Sequence, residues 1–155
     1  MLRKLLLTAG VGALVAIAIG GASFASASGE GGARRIVVIE KTTSQRFLDL
    51  GQPGPTPGDE FFFGSQFWNA DQTQQVGSNR GFCVLQTQTV VHCVGTARLN
   101  GGRLEFAGQT SFTATASIIS ITGGTGVFDG AEGHVSVHNL NSDGTLSRDV
   151  IVLLG

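Results

Sequence analysis

Residues 133–155 read GHVSVHNLNSDGTLSRDVIVLLG. Val135 and Val137 alternate with His134, Ser136 and His138, the period of two expected of a strand with one buried face. Asn141-Ser142-Asp143-Gly144 then supplies hairpin-turn chemistry, and Leu146 to Leu154 returns from it. The returning segment is apolar on both faces, with Val150, Val152 and Leu154 against Ile151 and Leu153. Such a strand needs cover on both sides, a core on one and a partner on the other, so a homo-oligomer is expected.

The same grammar runs upstream. Arg34 to Thr43 places Ile36, Val38, Glu40 and Thr42 on one face and Val37, Ile39 and Lys41 on the other. All three prolines fall in the turn-rich loop Pro53-Gly54-Pro55-Thr56-Pro57-Gly58. Strands are then expected at Phe61–Trp68, Gly81–Gln88 and Thr89–Leu99. Asn100-Gly101-Gly102 turns the chain into Arg103–Ala107, and Thr110–Ile121 follows as one long segment. About eight strands at short, even spacing predict an all-β antiparallel barrel or sandwich.

Composition narrows the function. The 155 residues include 24 glycines and only 14% charged residues, with a net charge of −1. That excludes a charged disordered tail or coiled coil, and no basic footprint for nucleic acid is present. At the start, Arg3 and Lys4 precede an apolar run from Leu5 to Ile19, and Ala25-Ser26-Ala27 offers a small-residue cleavage site. Residues 1–27 therefore read as a secretory signal peptide and the mature protein as secreted and extracellular; the rival reading is an uncleaved transmembrane anchor, for which the run is short and interrupted by Gly10 and Gly12. Residues 28–35 are a flexible leader and 36–155 the folded domain, in which no apolar stretch is long enough to span a membrane after cleavage.

The most specific string is Ile121-Thr122-Gly123-Gly124-Thr125-Gly126-Val127-Phe128-Asp129-Gly130-Ala131-Glu132-Gly133. Gly123, Gly124, Gly126, Gly130 and Gly133 suit a tight turn or bulge between strands; no Lys-Ser/Thr pair follows to make it a phosphate loop. The string resembles the glycine signature of allene oxide cyclases and the related dirigent proteins. Val76-Gly77 with Gly81-Phe82-Cys83-Val84, Gly58-Asp59 with Phe63, and Val38-Ile39-Glu40 are similar to other cyclase segments in the same order. The resemblance covers residues 36–155 and implies an eight-stranded antiparallel β-barrel with an apolar cavity, assembled as a trimer.

It also implies that Glu40 lines the cavity as a catalytic acid. Strand polarity alone leaves open the alternative that Glu40 sits on the rim, in water beside Lys41 and Arg46. Thr42 and Ser65 stand where the cyclases carry asparagines, Glu132 where the dirigent motif ends in arginine, and the chain has no tyrosine to match the cyclases' own. Val38, Thr42, Phe61, Phe63, Ser65, Phe67 and Cys83 are the candidate lining residues. Phe61, Phe63 and Phe67 share a face, giving either core or an aromatic wall for a ligand.

Cys83 and Cys93 are the only cysteines. An even count in an exported chain favours a disulfide closing a hairpin near Gln88, while the cyclase match implies a free thiol at Cys83. His134 and His138 stand about 13 Å apart along one strand, too far to share an ion bound at roughly 2 Å. No metal and no cofactor are expected. The sequence thus points to a secreted barrel that binds an apolar small molecule and steers its cyclisation, isomerisation or coupling. The alternatives are a carrier of the lipocalin type and a structural surface protein.

Overall fold

The computed structural model describes residues 32–154. The expected signal peptide, 1–27, and residues 28–31 of the leader lie outside the described residues. Eight strands follow one another: β1 Arg34–Leu48, β2 Glu60–Trp68, β3 Gln75–Leu85, β4 Val90–Leu99, β5 Gly102–Ser111, β6 Ala116–Gly126, β7 Glu132–Asn139 and β8 Leu146–Leu154. Each pairs antiparallel with the next, and β1 pairs with β8, so the sheet closes into a barrel with no free edge. Closure starts earlier than the expected domain boundary. Arg34 and Arg35, at the end of the leader, already pair with Leu153 and Val152.

One end of the barrel is filled. Ile36, Val38, Phe67, Val76, Leu99, Leu104, Phe128 and Leu153 pack there as one buried cluster. Phe128 reaches it because the glycine string turns sharply. Gly123 and Gly124 continue β6, Gly126 ends it, Gly130 lies in the turn and Gly133 belongs to β7. A side chain at Gly124 would run into the Phe128 carbonyl. Gly133 holds φ at 149° with the Val152 carbonyl against it. The Arg34 guanidinium lies 5.2 Å over the Phe128 ring, away from the cavity.

Two expected strands are placed differently. β3 starts at Gln75 and ends at Leu85, leaving Gln86–Thr89 as the turn. The long segment Thr110–Ile121 is broken at Phe112–Thr115. That turn has neither glycine nor proline and is held by hydrogen bonds: Phe112 N–H to Thr89 O, Ala114 N–H to Ser111 O, and Asn139 Nδ2 to Ala114 O. A bulge at Thr42/Ser44 lets β1 run on to Leu48 while turning Gln45 toward the barrel interior.

Candidate functional site

Above the filled end the barrel is hollow. The cavity measures about 280 Å³, at the low end of the range for small-molecule sites, and opens between the β5–β6 and β7–β8 turns. Its wall on β2 and β5 is aromatic: Phe61, Phe63, Phe67 and Phe106, with Phe112 edge-on to Phe61 at 5.6 Å. Ile119, Ile121, Val135, Val137 and Ile151 form the opposing side.

The aromatic wall depends on two glycines. Phe63, Gly81, Gly95 and Phe106 stand opposite one another in register across β2, β3, β4 and β5. With no side chains at Gly81 and Gly95, the two rings fold over bare backbone; a Cβ at either would strike one of them. The next rung of the same hairpin is Cys83 opposite Cys93, joined as a disulfide whose residues line the cavity. The paired state replaces the free thiol implied for Cys83, because register puts the two cysteines face to face.

The polar corner is built from four strands. Glu40 comes from β1, Ser65 from β2, Asn79 from β3, and Ser147 and Asp149 from β8. Glu40 Oε1 accepts from Ser65 Oγ and, at 2.9 Å, from Asn79 Nδ2. Asp149 is only 3% exposed and accepts from Ser147 Oγ at 2.7 Å. Burial pushes the Asp149 carboxyl well above the usual carboxylate range. The negative charge of Glu40 and a hydrogen bond to it push the same way. A carboxyl raised in this way keeps its proton to a higher pH than an ordinary aspartate does. The pair can donate a proton at one oxygen and stabilise positive charge at the other.

Glu40 therefore faces the interior, half-buried, and not the outer rim. Thr42, Phe61, Phe63, Phe67 and Cys83 border the cavity with it. Val38 does not: it is fully buried in the plug below. Ser65 stands behind Glu40 as its hydrogen-bond donor and does not border the cavity. Asp149 and Asn79 were not singled out from sequence. The signal for Asp149 was a lone carboxylate in phase with Ile151 and Leu153 on the inward face of an apolar strand. His92, His134 and His138 alternate with cavity-facing Val91, Cys93, Val135 and Val137 and so lie on the outside. Among the described residues no three His, Cys, Asp or Glu cluster as a metal site.

No protein-family model matches the sequence, and no curated protein matches it. Solved structures do resemble the fold. A pyocyanin demethylase superposes with a TM-score of 0.68 at 23% identity, covering 77% of this chain and 98% of its own. AbnU, an exo-specific intermolecular Diels-Alderase, gives 0.66 at 14% identity, covering 81% and 100%. The pterocarpan synthase dirigent protein PsPTS1 gives 0.61 at 16% identity, covering 77% and 94%. The chain shares its small closed β-barrel fold with these three proteins.

Proposed function

We propose that this is an exported barrel that binds an apolar small molecule and steers its cyclisation, isomerisation or coupling. The observation that carries the reading is the buried polar corner, Glu40 with Asp149, set against the aromatic and aliphatic walls of the hollow. Walls of this kind select one folded conformer of a flexible ligand, so that alignment is achieved on binding and not in the reaction step. A protonated Asp149 can donate to a developing oxyanion, and Glu40 can stabilise an adjacent cation or take up a proton. Glu40 also stands where the allene oxide cyclase resemblance puts that family's cavity glutamate. The disulfide supports export, since such bonds persist in oxidising compartments. A homotrimer would bury the outer face where Phe62 and Phe82 stack at 5.8 Å, both partly exposed.

The test is native mass spectrometry of protein from the culture medium, followed by incubation of any recovered ligand with wild type and Glu40→Gln. A trimer of residues 28–155 carrying an apolar adduct that wild type converts supports the proposal. A ligand returned unchanged makes the protein a carrier. Conversion undiminished in Glu40→Gln removes Glu40 from the chemistry.

A further inference from the structure

The cavity has a sign. Of the described residues that border it, Glu40, Asp149 and Asp143 are acidic, and none is Lys, Arg or His. The inward-facing cation, Arg34, lies beyond the plug on Phe128 and does not border the cavity. Lys41 is turned outward, 4.7 Å over the ring of Trp68. A hollow of low dielectric lined by one sign of charge concentrates ligands of the opposite sign and repels its own.

Two further features act in the same direction. Phenylalanine faces attract cations, and Phe61, Phe63 and Phe106 present an aromatic wall beside the carboxyl pair. Asn79 is 7% exposed and borders the cavity, and its Oδ1 has no hydrogen-bond partner. Its Nδ2 is committed to Glu40, which fixes the amide with the acceptor left over. A buried acceptor left unsatisfied beside a carboxylate adds to the negative potential of that corner, which favours a ligand bringing positive charge.

We infer that the ligand of this cavity is apolar over a flat aromatic body and cationic at one end, its ammonium or protonated ring nitrogen seated on Glu40 and Asp149 and its ring against the phenylalanines. Organic anions such as fatty carboxylates are excluded by the same corner. This names the ligand class for the proposed small-molecule site and rests on that reading.

Three probes of nearly equal shape separate charge from fit: 1-naphthylmethylammonium, 1-naphthylmethanol and 1-naphthoate, titrated calorimetrically into the protein at pH 7. The expected order is ammonium at least tenfold tighter than alcohol, with no detectable naphthoate binding. Glu40→Gln alone leaves Asp149 free to take the charge, so the decisive variant is Glu40→Gln/Asp149→Asn. It should bind the ammonium and the alcohol within about twofold of each other, while Asp149→Asn alone keeps the preference. Alcohol or naphthoate binding as tightly as the ammonium overturns the charge inference and leaves the small-molecule site standing. The same holds if the double variant keeps the preference. Should none of the three bind, the site and the inference fall together. Circular dichroism of each variant confirms that a lost preference is not lost folding.

Discussion

Glu40 and Asp149 meet across the β1–β8 seam two residues out of register and so on the same face, Glu40 pairing with Ser147 and Val38 with Asp149. The seam that closes the barrel is thus also where its two interior carboxyls come together. Asp149 has a higher pKa folded than unfolded, where the ordinary value is 3.8. Between those two values the native state holds the extra proton, so stability declines as pH rises through that window. Asp149→Asn, which mimics the protonated acid, should remove the decline. Melting curves from pH 4 to 8 are expected to converge with wild type at the acid end, with the variant melting several degrees higher at pH 8. Parallel curves would show that Asp149 does not hold the proton.

Asp59 has the opposite sign. It is fully buried, and its carboxylate accepts from Leu50 N–H at 2.8 Å, Thr56 N–H at 2.7 Å and Thr56 Oγ at 3.1 Å. Those hydrogen bonds, that from Leu50 foremost, hold its pKa below the usual value. Its contribution is present above the unfolded pKa near 3.8 and lost as pH falls through the lower folded value. Asp59→Ala should free the proline loop, measured as faster protease cleavage within residues 50–58 at pH 7. Wild type should reproduce that sensitivity only in acid.

The disulfide closes a ten-residue separation. Loop-closure entropy for so short a segment gives roughly 2–3 kcal/mol, which for a domain of this size is a melting shift of about 10 °C. Cys83→Ala/Cys93→Ala should show that loss. A shift under about 2 °C would mean the hairpin is already ordered in the unfolded chain.

The glycines should divide sharply. A Cβ at Gly123 meets nothing within 4 Å, so Gly123→Ala should lie within about 0.5 kcal/mol of wild type. Gly133→Ala combines a positive φ with a backbone clash and should cost roughly 2–4 kcal/mol. At Gly81, the new methyl would meet Val94 O at 2.5 Å and Phe63 Cζ at 2.7 Å. The side-chain share of that cost should be relieved by Phe63→Leu in a double-mutant cycle, and the backbone share should not.

The architecture was legible because most strands carried an alternation or a β-branched run and most turns carried glycine or asparagine. Phe112–Thr115 was not, since it turns on serine, threonine and backbone hydrogen bonds that a propensity reading counts as strand. Glu40 was marked as a cavity acid by the resemblance of Val38-Ile39-Glu40 to a cyclase segment, its strand neighbours alone leaving rim and interior open. Asp149 was masked by the apolar residues around it: a strand hydrophobic on both faces draws attention to its packing and away from its one buried charge. Asn79 carried no local signal, and its role arises only when β3 pairs with β2 and sets it opposite Ser65, beside Glu40. The cysteine pairing was open in sequence and is decided by register alone.

Among the described residues, the plug at Phe128 fills one end of the barrel and the cavity lies toward the Phe112 end. A ligand that enters at that end meets the plug at the other, so product and incoming substrate share the Phe112 end. If a reaction takes place inside, turnover is then set by emptying as much as by chemistry. Progress curves should slow through product inhibition well before substrate is exhausted, and widening that end with Phe112→Ala should relieve that inhibition without touching the carboxyl pair.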